Sequence, residues 1–292
     1  MFESIGRSFR LIKESARLLR HDPELIWLTV GSFVAVGVLL LVLGGFGLSI
    51  GVIDTDTDSV QSSGLVLLGV GYFLTSFVII YFQVALVAAV MHRMDGGDPD
   101  LSYAIGQANH RLGAIIIWAL ISATVGLILK GLENAARNRE GAAGRIIASI
   151  VVGLLGFAWS LMVFFVIPVI VAEDAKGIDA IKRSSGVLKA KWGEAVIGNQ
   201  GIGLITFLAI LLLAGVPTVL GITAYSTNVV LGGSLIMVGF GIGMFVAAAG
   251  SALDSTYRAV LYEYATKGEV GGFSREVLDS AFRPKSDIRG RV

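Results

Sequence analysis

The chain contains no cysteine, which excludes disulfides, thiolate metal sites and cysteine nucleophiles together. Histidine is almost as scarce, and His21, His92 and His110 are too scattered to form a local metal motif. Charge is the third scarcity. Only 15% of the 292 residues are Asp, Glu, Lys or Arg, against ~25% in an ordinary soluble domain. With 54% hydrophobic residues and a mean hydropathy of +0.78, the deficit is too deep to be explained by a large soluble core. The net charge of +1 singles out no class of partner. Glycine-rich stretches exist, GGFG at 44–47 and GFGIG at 239–243 among them. None is followed by Lys and then Ser or Thr between a strand and a helix, so none is a phosphate loop.

What is present is segregation. Six apolar runs cover 25–50, 64–91, 113–130, 146–171, 196–222 and 231–256. The 23 Lys and Arg lie outside these runs, with Lys130 at an edge, and of 22 carboxylates only Asp254 lies inside. A bilayer imposes this pattern, because a charge at its centre costs ~2.5–3.5 kcal/mol even on the lenient insertion scale. A spanning helix needs ~20 apolar residues. The expected fold is therefore all-α and integral to the membrane, a single transmembrane domain over 1–292 with six transmembrane helices. The N-terminal lead is too long, and its apolar run too extended, for a cleavable signal, so an uncleaved chain is expected.

The hydrophilic segments set the orientation. With both termini cytoplasmic, 19 Lys and Arg fall on the inner side and 4 on the outer, as the positive-inside rule requires. The outer segment IDTDTDSVQSS carries Asp54, Asp56 and Asp58 and no base. One segment objects: Lys130, Arg137, Arg139 and Arg145 fall outside. Either the rule is overridden locally, or 113–171 is a re-entrant hairpin rather than two full spans. The expected location is the cell membrane.

The inner segments resemble one another. In 1–24, Phe2, Ile5, Phe9, Ile12, Ala16 and Leu19 recur at helical spacing, with Arg7, Arg10, Lys13, Arg17 and Arg20 on the other side. That is an amphipathic helix suited to the headgroup boundary and to anionic lipid. Similar segments precede the third and fifth runs, and another follows the sixth within the tail 257–292. The layout expected is three helical hairpins, each preceded by a short amphipathic interfacial elbow helix, closed by a fourth elbow. Short inner loops with basic flanks produce the same appearance without any repeat.

Within the spans polar residues are few. Asp254 has Arg258 four residues on, the spacing and order of a helical ion pair. Asn199 and Gln200 at the start of the fifth run and Gln83 in the second fall at a similar depth, with Pro168 interrupting the fourth. Together they make a candidate polar site facing the cytoplasm, or a set of interhelical hydrogen bonds and one interfacial ion pair. Gly239, Gly243, Ala247 and Ser251 recur every four residues as a candidate helix-packing ridge, which serves an internal contact or a homodimer equally. Trp118 is placed as an interface anchor, Trp159 as packing, and Tyr262 and Tyr264 as an aromatic belt. No histidine and a single carboxylate lie within the spans, which leaves no set for intramembrane proteolysis. No enzyme activity, no cofactor and no metal are expected. Bases alternate with acids in the elbows, so nucleic acid is not an expected partner.

AWSLMVFFVIPVIV at 158–171, WGEAVIGNQGIGL at 192–204, YRAVLYEYATKGEVGGFSREVLDSAFRPK at 257–285 and the opening SFRLIKESARLLRHDPEL resemble a prokaryotic family of integral membrane proteins, domain of unknown function 6159. The resemblance covers nearly the whole chain. It implies a six-span fold and brings no activity or catalytic residues. The layout is also similar to membrane domains fused to glycerophosphodiester phosphodiesterases, without the catalytic domain. Two functions are expected to compete. One is a non-catalytic membrane-organising protein that binds lipid, including anionic lipid of the inner leaflet, or a membrane protein partner or second copy of itself. The other is a small transporter or exporter with an inner-facing polar site near Asp254.

Overall fold

The structure is a computed structural model that describes residues 23–49, 62–138, 141–192 and 201–268. The expected amphipathic segments up to residue 22 and beyond residue 268, together with Asn199 and Gln200, lie outside the described residues. In chain order the helices are α1 (Glu24–Ser49), α2 (Ser62–Met94), α3 (Leu101–His110), α4 (Leu112–Arg137), α5 (Ala142–Met162), α6 (Val166–Glu173), α7 (Gly177–Trp192), α8 (Gly201–Ala209), α9 (Gly215–Tyr225) and α10 (Val229–Lys267). No strand occurs among the described residues. Six helical segments are long and apolar enough to cross a membrane: Glu24–Ser49, Val66–Met94, Leu112–Arg137, Ala142–Glu173, Ile205–Tyr225 and Val229–Lys267.

Local chemistry sets the helix ends. Pro23 precedes α1, where its fixed φ and missing N–H suit a helix start. At the end of α2, Gly96 takes φ +87 while the Gly97 N–H donates to the His92 carbonyl and the Gly96 N–H to that of Arg93. That pair of bonds is a Schellman stop, which needs a residue able to adopt the left-handed region. Asp100 then starts α3, its Oδ1 accepting from the Tyr103 N–H at 2.6 Å. Asn228 caps α10 likewise, with Oδ1 accepting from the Leu231 N–H at 3.0 Å. Each cap is a short polar side chain satisfying an N–H that has no partner within its helix.

Several spans differ from their apolar runs. The third run ends at 130, but α4 continues to Arg137 because Glu133 bridges Lys130 (3.2 Å) and Arg137 (2.6 Å) along one helix face. Such i,i+3 and i,i+4 pairs support helix in polar sequence. The fourth run is broken in two by a turn at 163–165 between α5 and α6. Pro168 is the cause, since its missing N–H and its ring disrupt the bond to the carbonyl four residues earlier. The displaced Phe165 N–H donates instead to Ser184 Oγ of α7 at 3.0 Å, and both residues are fully buried. The fifth span contains a π-helical turn, Ile210–Ala214, between α8 and α9. Pro217 follows it inside a continuing helix, so the missing donor is accommodated by a wider turn rather than by a stop.

The described residues fall into two compact units. The first comprises 23–33, 89–104, 190–192 and 201–268; the second comprises 34–49, 62–88, 105–138 and 141–189. In the second, the buried side chains are Val84, Leu86 and Val87 late in α2, Ile115 and Trp118 early in α4, and Phe165, Val166, Val169 and Ile170 around the break. Trp118 is a core residue that stacks on Trp159 of α5 at 6.0 Å, and not an interface anchor. In the first unit α8, the π turn and α9 pack along α10. Its buried run is Ser255–Tyr257 and Ala259–Glu263. Tyr262 is 2% exposed, so it belongs to the core rather than to an aromatic belt. The sixth apolar run stops at 256, yet its helix continues unbroken to Lys267.

Candidate functional site

The residues singled out by the sequence divide between the two units. In the first unit Arg258 Nη2 lies 2.8 Å from Asp254 Oδ2, with the two side chains 38% and 40% exposed. Gln83 belongs to the second unit, half-buried on α2. The small-residue ridge is occupied from within the unit. A Cβ added at Gly239 would meet the Ala214 carbonyl at 2.9 Å and the Thr218 side chain, and one at Gly243 would meet Ala214 Cβ at 3.2 Å. Towards the hairpin, Gly232 and Gly221 face one another, backbone against backbone. In the other direction Gly250 lies against Thr206 of α8. The seam thus follows Gly232, Gly239, Gly243 and Gly250, because a 3.6-residue turn keeps one face with steps that alternate between three and four. Ala247 and Ser251 are half-buried beside it.

A second ionic site ties two helix ends in the first unit. Lys267 Nζ is 2.7 Å from Glu263 Oε2 and 3.2 Å from Asp95 Oδ1, just beyond α2. Glu263 is buried, and the ammonium supplies the counter-charge that a buried carboxylate requires.

The most developed polar arrangement lies wholly in the second unit, at residues that spacing alone does not connect. Arg111 sits at the turn between α3 and α4 and is 15% exposed. Its Nε donates to the Ile170 carbonyl at 3.2 Å and Nη2 to that of Val171 at 2.8 Å. Nη1 donates to Gln107, to Oε1 at 2.6 Å and to the backbone oxygen at 3.2 Å. Arg111 therefore caps the C-terminal turn of α6 from another part of the chain, placing a cation where unsatisfied carbonyls and the helix dipole favour one. Asp174 follows α6 with φ 50, the one non-glycine residue in the left-handed region among those described. Its Oδ1 lies 2.9 Å from Arg111 Nε. Asp is one of the few non-glycine side chains that tolerate this conformation.

Beside this cap opens a cleft of about 510 Å³. Gln107, His110 and Arg111 line one side, Gly113 and Ala114 the start of α4, and Asp174 and Lys176 the other. No side chain caps the first turn of α4. Space next to Gly113 is open, with nothing within 4 Å of where a Cβ would stand. Gly177, at φ +54, holds the linker against α4 so closely that a Cβ there would lie 3.1 Å from the Ile117 side chain. The cleft thus combines an anchored guanidinium, an exposed ammonium, an imidazole and open helix N–H groups, with one opposing carboxylate. No group of three or more His, Cys, Asp or Glu able to hold a metal occurs among the described residues.

The model of a family of unknown function (DUF6159) matches residues 62–273 of the chain. No curated protein matches it.

Proposed function

The chain belongs to the DUF6159 family, and we propose that within it the protein is a multi-pass membrane protein without a catalytic centre that organises the inner leaflet by binding lipid or a partner protein. One observation carries this reading, the division of the surface. The apolar windows of the last three candidate spans are only 11% buried, so most of their side chains are available to lipid. Ionisable side chains gather instead at helix ends, where Arg111 with Asp174, Arg183 with Glu173 (2.8 Å) and Lys267 with Asp95 hold one element to another.

The short helices α3 and α7 supply the elbows of this proposal. α3 buries Ala104 and Ala108 and exposes Leu101 and Ile105. α7 buries Ala180, Ser184 and Val187, one helix face, and exposes Ile178, Lys182 and Arg183. The mixed apolar and basic exposed face of α7 suits the headgroup boundary of an anionic leaflet, and α3 offers an apolar exposed face to the same boundary. Three hairpins led by such elbows, with both termini cytoplasmic in the cell membrane, complete the arrangement. Native mass spectrometry of protein extracted with its surrounding bilayer tests it. Retained lipid or a stoichiometric protein partner is the expected result, and protein that emerges bare and monomeric would overturn it.

A small transporter or exporter is the second reading, favoured by the π-helical turn Ile210–Ala214 ahead of Pro217, since π turns recur at functional sites. It requires solute flux in reconstituted vesicles that Asp254→Asn diminishes.

A further inference from the structure

We propose that the cleft between the α3–α4 turn and the α6–α7 linker binds a phosphate group, and that its source is the headgroup of an anionic lipid. The proposal rests on the lipid-binding reading above and names the ligand class and the site.

The chemistry of the walls selects the charge. Arg111 is fixed by its bonds to Ile170, Val171 and Gln107. A guanidinium has five N–H donors; one on Nη2 remains beyond those bonds, held in place before any ligand arrives. Lys176 stands exposed across the cleft and His110 is exposed on the near side. The uncapped first turn of α4 adds N–H groups at Gly113 and Ala114, whose dipole favours an anion. Asp174 opposes an anion, but its side chain is 74% exposed and already turned onto Arg111, so water screens it.

The neighbouring surface selects the source. Ile117 packs against Gly177, directly beside Lys176, and remains 42% exposed. Ile116 and Leu112, one helical turn apart on α4, are 46% and 38% exposed. A phosphate held in the cleft therefore has apolar surface within reach on the same helix, which accommodates acyl chains and offers nothing to a free anion. Open space at Gly113 gives the entrance.

The test uses full-length protein in nanodiscs of phosphatidylcholine doped with phosphatidylglycerol, with bound lipid counted by native mass spectrometry. Gly113→Leu places a side chain at the entrance, where a Cβ meets nothing within 4 Å, and Lys176→Glu reverses the exposed cation. Lys176→Glu should lower phosphatidylglycerol retention at least about five-fold, the factor that ~1 kcal/mol per base at an anionic surface gives, and Gly113→Leu should lower it too by closing the entrance. Lys130→Glu, at the far end of α4, should leave it unchanged. A second arm titrates inorganic phosphate and glycerol 3-phosphate into protein in pure phosphatidylcholine discs. Saturable binding there that both variants abolish, with no preference for phosphatidylglycerol, keeps the phosphate site and assigns it a soluble ligand. Phosphatidylglycerol retention that survives both variants overturns the cleft and leaves the membrane-organising reading standing. Vesicle flux with an intact phosphate site would do the reverse.

Discussion

Gly232→Ala adds one methyl group where two helices meet backbone to backbone. Its Cβ would stand 2.6 Å from the Tyr225 nitrogen and 2.7 Å from the Gly221 carbonyl oxygen, and would also press on Tyr225 Cα. Comfortable carbon contacts begin near ~3.5 Å, so α9 and α10 must part by roughly 1 Å. No rotamer change relieves the overlap, because the obstructing atoms are main chain. The same seam carries Gly221, whose Cβ would lie 2.8 Å from Gly232 O and Ile236 N, and Gly239 against Ala214; parting at one level loosens the others. Overpacking of this kind costs ~1–3 kcal/mol. Replacing Gly by Ala in a helix also gains up to ~1 kcal/mol in propensity, which would mask part of the loss. Gly233→Ala removes that ambiguity. It is the next residue of the same helix and its Cβ meets nothing within 4 Å. The propensity gain cancels between the two variants, and their difference isolates the overlap. SDS titration in mixed micelles, followed by circular dichroism, should place Gly232→Ala below Gly233→Ala by ~1–3 kcal/mol, about 5- to 150-fold in the unfolding equilibrium. Equal stability within ~0.5 kcal/mol would refute the close approach of α9 and α10.

Ser184→Ala removes the hydroxyl that accepts from the buried Phe165 N–H, a hydrogen bond worth ~0.5–1.5 kcal/mol net; hydrogen exchange at the Phe165 amide should accelerate, and an unchanged rate would refute the bond. Asn228→Ala removes the cap on α10 and should destabilise by ~1 kcal/mol, whereas Asn228→Asp should restore most of it. Asp254→Asn breaks an i,i+4 pair that is more than a third exposed on both sides, so water screening limits its effect to ~0.5 kcal/mol or less. A larger loss in the same titration would mean that Asp254 does more than pair with Arg258.

Apolar runs located the spans because lipid exposure is a property of composition, readable without contacts. The first run, 25–50, and the helix Glu24–Ser49 agree almost to the residue. Helix ends are another matter, since a helix stops where its hydrogen bonds find other partners and not where the bilayer ends. α4 outlasts its apolar run through Glu133 and its two bases, and Pro168 signals a break that falls upstream at 163–165. The Asp254–Arg258 pair was legible because both partners lie on one helix at a fixed spacing. The cleft was not. Arg111 and the carbonyl it caps at Ile170 are 59 residues apart, and no local pattern couples a base in one turn to the end of the third helix after it. A lone Arg beside His110 at a helix–helix junction, and a polar turn at Asp174–Lys176, were the available hints. Only the fold brings them to one cleft.

The position of the buried residues follows from where water is. α10 has 39 residues, about 58 Å at 1.5 Å per residue, against a hydrocarbon core of ~30 Å. Even tilted, a third or more of it projects beyond the lipid, and the buried run Ser255–Glu263 is in its last third. Within hydrocarbon, apolar side chains gain nothing by leaving lipid for protein, so helices there meet through small residues and close van der Waals contact. Gly221, Gly232 and Gly239 are that kind of contact. Beyond the lipid the hydrophobic effect returns, and large side chains such as Leu261 and Tyr262 become fully buried. The first unit is thus held by a glycine seam between α9 and α10 and by a conventional core at the projecting end of α10. Conservative changes should divide accordingly: adding a methyl group harms the seams, whereas removing one harms the core.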